Sequence, residues 1–591
     1  MRIRILLFLM ILITDFAVAQ DIKGTVDKIK NLKKAPGDML KKGFTASGSI
    51  SSASNLLQSN LMLPGQRPFE ESLNGNILFD IGGKIKMPFT FAWNTRSINY
   101  SHPFNKKYRL QQPFNRFQFK PTYKGFSLLL GVNSLSFSEY TLNAFRFEGL
   151  GFTFKPAKMP FYASFLTGTL NKPISPDSAS LLPNMRPSYK RTGLGFQVGF
   201  KIKKNKAEVS YLQGRDHLAG FPYNLDFMGI SPKKNVAIGL KGDLMMGKFL
   251  ALKTDIALSA MLEDTRTLNQ ETKLFKNTAT NYYKAIKTGL QYNGQKIKTG
   301  LQYSYVDPQY RSMGIYYVAD DIQSLAADIG TQLFDGKVSL QGSLGKQGQT
   351  RKSLQSQTLN QWVGSLNVAF APSEKFTNTL LYSNFISFTN LRTDLEYLTV
   401  LVPFSILDTL NYRQVNQNIM ATSTYIFAKD EKIQNTLNLS LMQQMTNNEV
   451  GSEASTSKIA NAALMFDHAD QNTALAYGGG FTVSRNDLVF LRDWLLGPSV
   501  HLSKSFLDKT LSSGLNINYL STKRTDNLNS KIINASVNAS YTIKKKHALS
   551  LTGTFLNRAV DSNDEFDRSS WQLMASLNYR YSFDLFKIAK K

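Results

Sequence analysis

The 591-residue chain has no cysteine and only five histidines. Without a thiol there is no disulfide framework and no lipid-modified N-terminal cysteine. An exported protein of this length must then be held together some other way. His102, His217, His468, His501 and His547 are scattered, and none has metal-ligand spacing to another. No GxSxG, HExxH or P-loop motif occurs. Asp216-His217 stands in a loop of the reading below, and no second motif accompanies it. No catalytic, cofactor-binding or metal-ligating residue is nominated, and no cofactor is implied. After the N-terminus no stretch approaches the roughly 18 apolar residues that a membrane helix needs.

The charge is lopsided: 70 Lys and Arg against 42 Asp and Glu, a formal net charge of +28. That raises nucleic acid as a partner. The basic residues, however, fall in no RNA- or DNA-binding motif and no basic recognition helix. Residues 1–19 also read as a secretory signal peptide, with Arg2 and Arg4, an apolar Ile5–Ile13 core, and Ala17-Val18-Ala19 before Gln20. Nucleic acid is set aside on both counts. Residues 20–43 form a second basic element. Ile22, Val26, Ile29 and Leu32 recur at helical spacing among lysines until Pro36-Gly37, predicting a short amphipathic helix in the periplasm.

What the sequence has in abundance is alternation. From Trp571, odd positions read Trp571, Leu573, Ala575, Leu577, Tyr579, Tyr581 and Phe583, against Gln572, Met574, Ser576, Asn578, Arg580 and Ser582, a near-perfect alternation. Side chains of a strand point alternately to its two faces, so this is a strand with one apolar and one polar face, ending in an aromatic girdle. The tail 584–591 is read as a basic periplasmic extension. Ile533–Ile543 turns at Lys544-Lys545-Lys546 and returns through Leu549 and Leu551. Leu194–Ile202 turns near Lys203 and returns through Val209. The heptapeptide Ile-Lys-Thr-Gly-Leu-Gln-Tyr occurs twice, at 286–292 and 297–303, around Asn293-Gly294. Asn-Gly tolerates positive φ, so a tight hairpin is predicted there, with Leu290 opposite Ile297 and Thr288 opposite Thr299. At Asp335-Gly336 the same rule sets Leu333 opposite Val338 and Thr331 opposite Leu340.

Short Lys-rich turns alternate with long polar connections at 170–190, 214–233, 262–280, 306–321, 347–360, 386–413, 446–457, 485–497, 521–530 and 558–569. This asymmetry predicts an all-β fold: a transmembrane antiparallel barrel of about 20–26 strands spanning 44–583, with short periplasmic turns and long extracellular loops. Its lipid partner is the outer membrane of a Gram-negative envelope. Lys203, Lys204, Lys248, Lys296, Lys337, Lys375, Lys432, Lys509 and Lys544 would ring the periplasmic rim. That rim suits lipid head groups or an anionic protein partner, and lysine is also simply common in turns. The apolar run Leu398–Leu407 inside a loop predicts a segment buried against a partner or, the favoured reading, packed within the barrel.

Pro113–Gly125 (PFNRFQFKPTYKG), Leu142–Phe152 (LNAFRFEGLGF), YSNF at Tyr382–Phe385 and LDTLNY at Leu407–Tyr412 resemble a family of large outer-membrane barrels from Bacteroidota. The likeness covers most of the mature chain. Members of that family mostly have no assigned role, so the resemblance implies location rather than activity. TonB-dependent receptors carry a large N-terminal plug domain, for which strands starting near residue 44 leave no room. The expected function is a porin-like channel or transport conduit, its lumen partly filled by loops or the N-terminal segment. The alternative is a non-catalytic subunit of an envelope machine such as a type IX secretion or gliding assembly. An outer-membrane hydrolase ranks last.

Overall fold

A computed structural model describes residues 43–61, 68–94, 116–174, 176, 187–218, 225–267, 278–348, 360–390, 411–430, 432–450, 453–488, 491–525, 529–561 and 569–587. The segments read as signal peptide and basic helix, and the run Leu398–Leu407, lie outside these residues. The described strands form one 27-stranded antiparallel sheet, and the first strand, Phe44–Ser59, pairs with the last, Ser570–Lys587. The sheet is therefore closed. Arg116–Phe119 and Thr122–Tyr123 share one position between Ile85–Asn94 and Phe126–Leu135. The break falls at Lys120-Pro121, where proline offers no N–H to the ladder. The wall thus has 26 staves.

Alternation decides which way each side chain points. Leu577 is 46% exposed, Val537 50% and Leu301 52%, and all three face outward. Similar Leu, Val, Ile, Phe and Tyr side chains project outward around the wall, from Phe69 to Tyr579. Closure pairs the backbone groups of every stave and leaves no sheet edge. A closed sheet with an apolar exterior is the form of β-structure that lipid tolerates. The faces read from the alternation hold for the last strand and for the Lys544 and Lys203 hairpins, where Tyr541 lies opposite Leu549 and Val209 opposite Val198.

Turn chemistry sets the register with one exception. At Asp335-Gly336, Phe334, Asp335 and Gly336 have φ of 53°, 53° and 88°, and Leu333 pairs with Val338 and Thr331 with Leu340, as the sequence indicates. The Asn293-Gly294 register is different. Leu290 lies opposite Leu301 and Thr288 opposite Tyr303, and the loop widens to 294–296. The preceding strand, Leu250–Leu262, is the cause. It pairs as far as Leu250 with Tyr292, and the Asn293 N–H donates to Phe249 O at 2.6 Å. That bond keeps Asn293 in the ladder, and it is not among the residues of positive φ. The displacement is an even number of positions, so each residue keeps its face.

Four connections read as long loops are shorter than expected. Val450 pairs with Glu453, Asp487 with Arg492, Asp493 with Arg524, and Asn529 with Asp561. Polar residues on both faces do not end a strand. They suit a ladder that runs on into water beyond the apolar belt. The last strand likewise continues past Phe583 to Lys587, with Phe586 opposite Ala46 after a register shift. The barrel therefore extends four residues into what the sequence suggested was tail.

Candidate functional site

The interior is built differently on its two sides. On one side, two connections fold into the lumen. The first, residues 136–144, joins Phe126–Leu135 to Phe145–Phe154. Its own hydroxyls shape it. Ser136 Oγ accepts the Ala144 N–H at 2.8 Å, and Ser138 Oγ accepts the N–H groups of Tyr140 and Thr141 at 3.1 and 3.2 Å. Phe137, Tyr140 and Leu142 are thereby turned onto the wall, and each is at most 3% exposed.

The second connection, residues 307–321, follows the strand Ile297–Val306. It settles on the first: the Tyr310 hydroxyl donates to Tyr140 O at 2.8 Å and the Ser312 hydroxyl to Thr141 O at 2.6 Å. The Asn143 N–H donates to Gly314 O at 3.0 Å. Tyr316 stacks on Phe145 with ring centroids 4.3 Å apart.

The wall beneath is cut to receive them. Asn235 is fully buried. Its Oδ1 accepts the Met313 N–H at 3.0 Å, while its Nδ2 donates to Ser259 Oγ and Ala260 O. Ser259 Oγ donates to Arg311 O at 2.5 Å, and Gln197 Nε2 to Phe137 O at 3.2 Å. Asp255 Oδ2 accepts the Glu139 N–H at 3.1 Å, and the Lys287 ammonium meets the Glu139 carboxylate at 2.8 Å. Glycine is needed at the closest approach. A Cβ on Gly314 would lie 2.3 Å from Leu212 Cδ2 and 2.6 Å from Thr141 O, and one on Gly239 would lie 2.8 Å from Thr141 Cγ2. Leu129, Phe137, Leu142, Phe147, Leu166 and Leu212 close around this seat as a dry core. Burial, then the nearby Glu139 and Asp255 carboxylates, push the Tyr140 hydroxyl well above the usual phenol range. Burial does the same at Tyr310, with Asp255 next.

On the other side, from the strand Leu511–Arg524 through the closure seam to Phe69–Ile81, the described residues put no such core in the lumen. Inward positions here are mostly Ser, Thr, Asn and Gln. Asn516 Nδ2 donates to Ser536 Oγ and Asn578 Nδ2 to Ser576 Oγ, side chain to side chain across or along the wall. At the seam a concavity of about 490 Å³ is lined by Asn55, Glu70, Thr552, Thr554, Gln572 and Ser576 and by the apolar Leu56, Leu57, Met574 and Ala575.

The turns that carry the lysines of the sequence reading, from Lys203 to Lys546, all lie at one end, so these lysines share that rim. Carboxylates at the same end are engaged by the turns themselves. Asp80 accepts the Gly83 N–H at 2.7 Å, and Asp430 accepts those of Lys432 and Ile433 at 2.6 and 2.7 Å, which holds the Asp430 carboxyl below its usual range.

The histidines do not converge. Asp216 and His217 end the strand Asn205–His217 rather than occupying a loop, and they point to opposite faces. Asp216 grips Arg191 with contacts of 2.7 and 3.0 Å, while His217 Nε2 bonds Thr192 Oγ1 at 2.6 Å. His501 meets Asp467 at 3.1 Å, His468 bonds Asn435, and His547 bonds the Tyr579 hydroxyl. His102 lies outside the described residues. Among those residues, no three His, Asp or Glu side chains gather as metal ligands.

No protein-family model matches the chain, and no curated protein does either. Solved structures that resemble it are outer-membrane proteins. The P pilus usher PapC translocation pore is 8% identical, with 91% of this chain and all of that one covered, at a TM-score of 0.35. The FrpB iron transporter from Neisseria meningitidis is 10% identical over 93% and 84% of the two chains, at 0.40. OccAB2 from Acinetobacter baumannii is 10% identical over 65% and 99%, at 0.30. Values this low assign the chain to none of them.

Proposed function

We propose that this protein is an outer-membrane channel or transport conduit, delivered by its 1–19 leader and narrowed on one side by the two inward loops. One observation carries the reading. The barrel interior is divided into a sector that is packed and hydrogen-bonded shut and a sector lined by water-compatible side chains. A purely structural barrel would gain nothing from a run of six neighbouring staves whose inner face is hydrophilic and carries no packed loop among the described residues. Conductance across planar bilayers tests this. The proposal expects stable single-channel steps from the purified protein. A folded, heat-modifiable barrel with no conductance would refute it.

A second reading is supported by the lysine rim, namely a subunit of an envelope assembly that docks an anionic periplasmic partner there. Affinity purification from native membranes separates the two. A stoichiometric partner lost when the Lys544-Lys545-Lys546 turn is changed to serines favours docking, and isolation of the barrel alone favours the channel. No catalytic role is proposed.

A further inference from the structure

We infer that the sector which the described residues leave without a packed core is a path for neutral, hydroxyl-rich solutes, carbohydrate in particular. This rests on the conduit reading and names the solute class for it. Register fixes the faces. Leu577, Tyr579 and Leu551 point outward, so their neighbours Ser576, Asn578 and Thr552 point inward, as do Ser49 and Asn74 across the seam. Those five bear no charge, and they stand on four successive staves. The charged inward residues of this sector sit towards the ends of the ladder. Arg524 and Arg558 lie by the outer connections and Glu70 beside the first of them, while Asp80, Arg580 and Asp584 lie towards the turn end, Arg580 pairing with Ala548 just beyond the Lys544-Lys545-Lys546 turn and with Ser51 across the seam.

Wetting a lumen does not require this composition, since charged side chains wet a wall equally well. The filled sector uses them: Arg191 with Asp216, Lys206 with Glu208, and Lys287 with Glu139. A chain that carries 70 basic residues places only Arg580 beside this patch among the described residues. Hydroxyls and amides both donate and accept, as sugar hydroxyls do. A sugar can therefore exchange water for wall at little net cost. An ion leaving bulk water would meet no counter-charge there. The seam concavity of about 490 Å³, lined by Asn55, Thr552 and Ser576 together with Leu56, Leu57 and Met574, offers hydroxyl partners beside an apolar surface and is a candidate resting place on that path.

Proteoliposome swelling and reversal potentials test this on the full-length protein. A neutral disaccharide, an anionic sugar acid and a cationic amino sugar of similar size are compared, and the reversal potential is read in a potassium chloride gradient. The expected result is disaccharide entry at least as fast as either charged solute, with a reversal potential near zero. Ser576→Asp with Thr552→Asp should then create several-fold cation preference. Entry restricted to solutes of one charge sign, or a wild-type reversal potential close to the limit for one ion, would overturn the inference and leave the conduit intact. No permeation of any solute or ion would overturn the conduit reading and this inference with it.

Discussion

The two sectors of this barrel obey the same period-2 rule on the outside and opposite rules within. Between Phe126–Leu135 and Ile297–Val306 the inner wall carries glycine where loops press close and charge where loops bring a partner: Gly239 under Thr141, Lys287 against Glu139. Between Leu511–Arg524 and Phe69–Ile81 it carries Ser, Asn and Thr, in contact with each other and the lumen. Lipid governs the exterior alike everywhere. What faces inward reports whether a stave is roofed by protein or by water.

The contrast can be broken most forcefully by removing the roof. Replacing 308–320 with a short Gly-Ser linker takes away Tyr310, Ser312 and Gly314, and single-channel conductance should rise several-fold. Replacing the 525–528 connection in the same way should leave conductance unchanged. Gly314→Val places a branched side chain where even a Cβ lies 2.3 Å from Leu212. It should unseat the loop at a cost of about 1–3 kcal/mol, read as noisier or larger conductance with an intact barrel. Asn235→Ala removes the acceptor of the Met313 N–H and both donors to Ser259 and Ala260. Urea-driven unfolding from lipid vesicles should show a loss of about 1–3 kcal/mol. Asn538→Ala, exposed on the clear wall, should change stability by no more than about 0.5 kcal/mol.

The smallest effect is one of pH. Burial raises the pKa of Tyr140 and Tyr310 above the ordinary phenol value of 10.0. The stability of the seated loops is therefore fully present below that value. It declines as pH rises above it, because the displaced loops can ionise there and the seated ones cannot. Conductance that grows only above about pH 10, and reverses on return to neutrality, is the expected signature. Tyr310→Phe should weaken it.

How much of this was legible in the sequence follows from which interactions are local. Trp571–Phe583 or Ile533–Ile543 declares its faces residue by residue, because lipid and lumen impose the alternation directly. Asp335-Gly336 declares its register because its own backbone makes the turn. Asn293 misled because its ladder is held by Phe249, on a neighbouring strand. The strand extensions at Val450, Asp487 and Arg524 were hidden because polar residues suit both a loop and a ladder in water. The filled sector was hidden most deeply: Tyr310 is 170 positions from the carbonyl of Tyr140 that it bonds, and no period links them. A signal was nonetheless present. Phe137, Tyr140 and Leu142 are large apolar side chains in a short connection, and a wet loop has no use for them. The longer apolar run Leu398–Leu407 drew attention instead, and it lies outside the described residues.

The absence of cysteine makes the most direct test simple, since every introduced thiol is unique. Ser49→Cys, Ser576→Cys, Leu577→Cys and Ala237→Cys are each placed in proteoliposomes and treated with a charged, membrane-impermeant thiol reagent. The two-sector barrel requires the cysteines at 49 and 576 to react, the one at 577 to be shielded by lipid, and the one at 237 to be shielded until residues 307–321 are excised. Rapid labelling at 577 with none at 576, or labelling at 237 beneath intact loops, would contradict it.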